Sequence, residues 1–368
     1  MRPFSLLRRA SASAKRFATT SDVRAANHSR NGAEKERTKR KRRTSVVVAW
    51  ACVGVGAATY ALLQVPSAAE QVQDVALYRM LPQRTASRAF GCAASVPVPT
   101  FARKWIYGGW ARAFQANLEE AELSMEDYRT LREFFARRLK PGSRAIEDAG
   151  PGGLVSPVDG RVMSYGRATA DGQEACFEAK GRKYSLHGLM HREWEDFKDA
   201  KKQVHYLVLY LAPGDYHRIH APCQWNVRRR RWIPGELLPV NDRAVERVPG
   251  LYVENERVVL EGECKTGSCA LAAIGALNVG SIGVTLEPEL TTNRPYTSVG
   301  KDKDHVKVYK DGNGVLVQAG QEVASFNLGS TVVIIHSTAI ADGSIHFHVK
   351  PGDRIRMGEV LATQQTHR

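Results

Sequence analysis

Three kinds of side chain in this sequence could do chemistry: a serine behind a glycine, two close histidines, and an aspartate in a tight turn. Ser330 stands in Phe326-Asn327-Leu328-Gly329-Ser330-Thr331-Val332-Val333-Ile334-Ile335, between a glycine and a β-branched apolar run. Gly329 has no Cβ, so its carbonyl can be approached closely and its backbone can hold a strained conformation. A serine there could attack the carbonyl just before it; a turn into a core strand would use the same residues. Such an attack needs a nucleophile, a base to take its proton, and a group to orient the base. Candidate bases lie in Gly214-Asp215-Tyr216-His217-Arg218-Ile219-His220-Ala221-Pro222, just past an apolar run ending at Leu211. The orienting acid is best sought at Asp159, in Pro157-Val158-Asp159-Gly160, although an Asp before Gly is also an ordinary turn former.

The elements that would position these residues are strands. Val204–Leu211, Arg257–Leu260, Ala270–Leu277, Ser281–Leu286, Gly314–Ala319 and Thr331–Ile335 are short apolar runs broken by Gly, Pro and Asp. They predict an α+β chain in which a helical N-terminal part precedes a β-rich catalytic domain. His346–Leu361 resembles the second half of a lipoyl- or biotinyl-type barrel sandwich, with Val155–Val162 as its companion hairpin. No carrier lysine accompanies them, so the likeness bears on fold and not on carrier function.

The stretch Leu328-Gly329-Ser330-Thr331 resembles the cleavage motif of phosphatidylserine decarboxylases. The resemblance runs from about Tyr128 to Glu359. It takes in Ser156–Arg161, Asp215–His220, Pro234-Gly235-Glu236-Leu237 with Val240-Asn241, and Val279-Gly280-Ser281-Ile282. It implies self-cleavage between Gly329 and Ser330, with Ser330 becoming a pyruvoyl group, the one cofactor required; no metal is implied. By the same match His220 is the base for cleavage with Asp159 behind it, and His217 serves decarboxylation of phosphatidylserine to phosphatidylethanolamine. The two products, 1–329 and 330–368, would stay together as a heterodimer. One departure is visible: His336 and Ser337 stand where the family commonly has an aromatic and an acidic residue. In an extended strand His336 shares a face with Ser330, so it either looks toward the same pocket or ends the strand.

The formal charge of +15 is concentrated at one end. Residues 1–43 hold 14 Lys/Arg against 3 Asp/Glu, leaving 39 against 35 in the other 325 residues, so nucleic acid binding loses its support. Met1–Ala26, rich in Arg, Ser and Ala, has the composition of a mitochondrial transit peptide. A basic block, Lys35–Arg43, then precedes Ser45–Val65, 21 residues without a charge. At about 1.5 Å per residue these span a hydrocarbon core of roughly 30 Å. The expected order is a basic targeting segment 1–44, a transmembrane anchor 45–65, a tether 66–100 and a decarboxylase domain 101–368. The mitochondrial inner membrane, with the domain in the intermembrane space, is the expected setting; an endomembrane anchor is the alternative. Within the domain, Phe101, Trp105, Trp110, Phe114 and Leu118 recur at four- to five-residue spacing. They would form the aromatic face of a helix lying either in lipid headgroups or on its own domain. Arg228-Arg229-Arg230-Arg231-Trp232 is either a second basic surface or a solvated strand edge. The six cysteines form no CxxC pair and read as scattered thiols. Two other functions remain: a membrane-anchored serine hydrolase using Ser330, His220 and Asp159, and a non-catalytic barrel-sandwich scaffold.

Overall fold

The computed structural model describes residues 83–171, 174–277, 281–295, 305–327 and 330–365. The expected targeting segment and anchor, and residues 66–82 of the expected tether, lie outside them. Among the described residues no helix is long and apolar enough to cross a membrane. What is described is a β-rich domain with few, mostly short helices.

Its centre is a nine-stranded antiparallel sheet. The strand Ser330–Ala339 runs through the middle, between Gly267–Ile274 on one side and Lys202–Leu211 on the other. Alternation along it serves two cores at once. Val332 and Ile334 pack with Leu207, Leu209 and Leu271, whereas Val333 and Ile335 pack with Tyr206, Val208 and Ala272. Burial on both faces explains why the run is apolar without interruption. The short helices Leu186–Met190 and Leu251–Glu254 contribute to the second core. On the first side lies a three-stranded sheet of Ile282–Val284, Glu322–Phe326 and Arg218–His220.

The two sheets share two chain crossings, and these define the site. Lys202–Leu211 leaves the large sheet and, after 212–217, becomes Arg218–His220 in the small one. Glu322–Phe326 leaves the small sheet and, after 327–329, becomes Ser330–Ala339 in the large one. Each strand pairs with its counterpart on both sides of the crossing: Ser330 opposite Leu211, and Ser325 opposite Arg218. The two corners are therefore held against each other by ladders at both ends.

The segments 154–162 and 354–365 also pair. Leu154–Val155 lies on Val360–Gln365, and Gly160–Arg167 on Arg354–Ile355.

The structure bears on four expectations. The helix Gln83–Ala94 is not tether: Phe90 is buried, and Arg84 pairs with Glu256 at 3.5 Å. The aromatic helix spans Thr100–Phe114, and its aromatic residues are divided. Tyr107 stacks on Phe134 at 4.6 Å, and Trp110 meets Phe114 and Phe135, while Phe101 and Trp105 remain 84% and 77% exposed. The arginine run is neither a basic surface nor an edge. It lies inside the strand Trp225–Ile233, between two neighbours, where Glu287 pairs with Arg230, Glu263 with Arg228, and Glu261 with Arg231. His336 does not end its strand, which continues to Ala339. It lies six residues beyond Ser330, about 20 Å along an extended chain, with its Nε2 3.4 Å from Cys264 Sγ.

Candidate active site

The corner 212–217 is shaped by Asp215, whose carboxylate accepts from the Ala212 N–H at 2.7 Å. Its backbone N–H in turn donates to the Ala212 carbonyl at 2.9 Å. The side chain reaches back three residues to the backbone, as in a capping box, and so is spent on backbone geometry. Burial raises its pKa. Gly214 is required here for space: a Cβ on it would lie 2.0 Å from the Phe114 carbonyl oxygen. The end of the aromatic helix thus rests directly on the corner. Arg137, almost fully buried, donates from Nη2 to the Gly214 carbonyl at 2.8 Å.

His217 closes this corner against the other one. Its carbonyl accepts from the Phe326 N–H at 2.9 Å, three residues before Gly329. The imidazole is fully buried, with the Phe135 ring centroid 4.1 Å away. Phe135 is placed by the helix Leu131–Phe135, which Thr130 caps by accepting from the Glu133 N–H at 3.1 Å. Nδ1 of His217 lies 2.8 Å from the Asp215 carbonyl oxygen, an acceptor only. The proton therefore sits on Nδ1, and the Nε2 lone pair is buried without a hydrogen-bond partner among the described residues. Burial pushes the pKa down to about 3, so the ring is neutral near pH 7. An unsatisfied buried polar atom costs about 1–3 kcal/mol.

His220 sits differently. Nδ1 donates to the Gly320 carbonyl at 2.7 Å, and Nε2 accepts from the Tyr216 hydroxyl at 3.0 Å. Both nitrogens are engaged, and burial again lowers the pKa.

The structure does not bring Asp159 onto His220. Its Oδ2 pairs with Arg144 at 2.7 Å, and its Oδ1 accepts from the Met357 N–H at 2.8 Å. The turn before Gly160 aims the carboxylate at these two donors, and Gly320 takes the position behind the imidazole. Asp159 nevertheless lines a cleft of about 260 Å³ that also reaches Asp215 and Tyr216. Ser330 is placed by its backbone, as the first residue of its strand, opposite Leu211; Leu328 and Gly329 lie outside the described residues.

A larger cavity, about 540 Å³, opens beside the second corner. Ser325 and Asn327 line it together with Tyr128 and four arginines, Arg132, Arg137, Arg138 and Arg218. Sequence reasoning gave no role to Arg137, Phe135, Tyr216 or Gly320. The run Glu133-Phe134-Phe135-Ala136-Arg137 carried a usable signal, two adjacent aromatics ahead of an arginine, but its long-range partners are set by tertiary packing alone.

Comparison with known proteins covers most of this domain. Residues 131–363 match the family model described as Phosphatidylserine decarboxylase. The chain is 41% identical over 343 residues to the phosphatidylserine decarboxylase proenzyme 1, mitochondrial, of Oryza sativa subsp. japonica, covering 77% of each chain. It is 35% identical over 321 residues to the mitochondrial phosphatidylserine decarboxylase proenzyme of Pongo abelii, covering 82% of this chain and 76% of that one. It is also 35% identical over 262 residues to the phosphatidylserine decarboxylase proenzyme of Myxococcus xanthus, covering 70% of this chain and 87% of the relative.

Proposed function

The chain belongs to the phosphatidylserine decarboxylase family, and from that premise we propose which residues carry the chemistry and where the protein works. The activity is pyruvoyl-dependent decarboxylation of phosphatidylserine, which yields phosphatidylethanolamine and CO₂ after the proenzyme cleaves itself.

In the proposed cleavage, Ser330 Oγ adds to the Gly329 carbonyl carbon. The peptide C–N bond breaks, an ester forms, and the serine proton passes to the amine. Loss of the Cα proton and of the Cβ–O bond then frees the Gly329 carboxylate and leaves a dehydroalanine. That residue takes up water, releases ammonia and ends as a ketone. His220 is the base, with Asp159 and Tyr216 in its electrostatic surroundings. The observation that carries the reading is the pairing of the two corners through the hydrogen bond from Phe326 N–H to the His217 carbonyl at 2.9 Å. One observation favours exchanged roles: the lone pair without a partner belongs to His217 Nε2, not to His220.

The buried His217 lone pair beside this corner fits a site for the pyruvoyl group. When present, that group supplies an electron-withdrawing carbonyl to the substrate amine, so that electrons released with CO₂ have somewhere to go. His217 then holds the proton that replaces the carboxylate, because an anionic substrate raises the pKa that burial depresses. Fragment 330–368 stays bound to 1–329, since its first strand lies between two strands of the larger piece. The pairing of segments 154–162 and 354–365 supports a barrel-sandwich reading of that end. Mass spectrometry of purified protein is expected to find 330–368, 39 residues, beginning with a pyruvoyl group. Decarboxylase activity from an uncut chain would refute the assignment.

The composition of the N-terminus and the names of the relatives support a mitochondrial setting. The relatives from Oryza and Pongo are named as mitochondrial. Residues 1–44 would target the chain, 45–65 would anchor it in the inner membrane, and the domain would lie in the intermembrane space. In mitochondria whose outer membrane alone is ruptured, added protease should digest the domain. A domain that stays protected there overturns this placement.

A further inference from the structure

The cavity at the second corner holds more positive charge than its own carboxylates use. Arg218 is occupied, its Nη1 2.6 Å from Glu322 Oε1 and its Nε 2.9 Å from the Ala136 carbonyl oxygen. Arg137 is turned inward to the Gly214 and Asp215 carbonyls. Arg132 and Arg138 are different. Both are exposed, both line the opening, and neither forms an ion pair among the described residues. The nearest bond of Arg132 is a marginal 3.5 Å contact to the Ser281 hydroxyl. Of the two glutamates on the same opening, Glu133 is committed to the Arg129 N–H at 2.9 Å, and Glu122, whose N–H donates to the Arg138 carbonyl at 2.9 Å, forms no ion pair with either arginine among the described residues.

We propose that Arg132 and Arg138 bind the phosphodiester of the substrate headgroup at the mouth of this cavity, which makes them the residues that select a phosphorylated serine. The inference rests on the decarboxylase reading of the site. The headgroup brings two anions, and chemistry decides which belongs here. The carboxylate loses its charge as CO₂ leaves, so a guanidinium holding it would stabilise the ground state more than the transition state and slow the reaction. The phosphodiester keeps its charge throughout, and arginine matches its oxygens with two parallel donors. Position agrees with charge. Asn327, on the cavity lining, precedes the Gly329-Ser330 pair by two residues. Leu123, 47% exposed, lines the same cavity, and so offers an apolar edge for acyl chains.

The test uses the processed full-length enzyme carrying Arg132→Gln, Arg138→Gln or both. The substrate is a short-chain phosphatidylserine dispersed as monomers, and separately long-chain phosphatidylserine in vesicles. Self-cleavage, read on a gel, is expected to match the parent. KM for the monomeric substrate should rise about tenfold for each single variant, the worth of one charge-assisted hydrogen bond, with kcat within about twofold. Inorganic phosphate should compete with substrate in the parent and lose that effect in the double variant. An unchanged KM, or a fall in kcat alone, overturns the proposal. So does a loss confined to vesicles, which would make the two arginines a bilayer contact and not a headgroup site. A parent enzyme that is cleaved but decarboxylates neither form would instead refute the decarboxylase reading itself.

Discussion

Replacing Ser330 with alanine is expected to leave one uncut chain and no decarboxylation above background. Alanine has no oxygen to attack Gly329, so the acyl shift has no first step. It also has no β-leaving group, so no ketone can arise even if the bond were cut by other means. The fold gives a way to separate this effect from damage. Position 330 enters its strand opposite Leu211, and alanine makes the same backbone hydrogen bonds as serine. The strand's apolar residues, Val332 to Ile335, are untouched in the two cores. Ser330→Ala should therefore melt close to the parent proenzyme while showing a single band and no CO₂ release. Two chains at the parental ratio would sink the assignment of the nucleophile.

The strand that carries Ser330 was legible because its environment is written locally. A strand buried on both faces must be apolar at consecutive positions, and Val332 to Ile335 are. The strand Trp225–Ile233 was not, because four successive arginines look solvated until Glu261, Glu263 and Glu287 are brought to them from distant sequence. The same limit applied to Asp159. Its turn was readable, but the turn does not reveal that Arg144 and the Met357 N–H take both carboxylate oxygens. The aromatic helix had two readings; part of it packs on its own domain, and Phe101 and Trp105 stay exposed. Spacing brings Phe101 and Trp105 into line with Trp110 and Phe114, yet only tertiary packing, such as that of Trp110 on Phe135, decides which pair is partly covered. The histidines were found by their spacing. Their difference lies at Nε2: Tyr216, four residues from His220, engages that nitrogen, while burial against Phe135 leaves the same nitrogen of His217 without a partner among the described residues, and spacing alone reveals neither.

That difference makes the two histidines separable by experiment. His220→Ala is expected to slow self-cleavage by about 10²–10⁴, the usual worth of a general base, so the proenzyme should accumulate. His217→Gln is expected to cleave at a rate near the parent's but to turn over substrate slowly, by a similar factor. Glutamine is preferred to alanine at 217 because the ring is wholly buried against Phe135, and a cavity there would blur the reading. A control follows from the pKa. His217 titrates near 3 when folded, because burial disfavours its charge, against about 6.5 in an unfolded chain. Between those values the unfolded state binds more protons, so this residue's contribution to stability falls as pH drops through that window. In His217→Gln that part of the acid sensitivity should vanish, and its loss confirms that the substitution reached the intended buried site. Tyr216→Phe frees His220 Nε2 while keeping the ring, and should not slow cleavage. If His217→Gln blocks cleavage and His220→Ala permits it, the roles are exchanged: the partnerless nitrogen of His217 is then the base, and the Tyr216–His220 pair is structural.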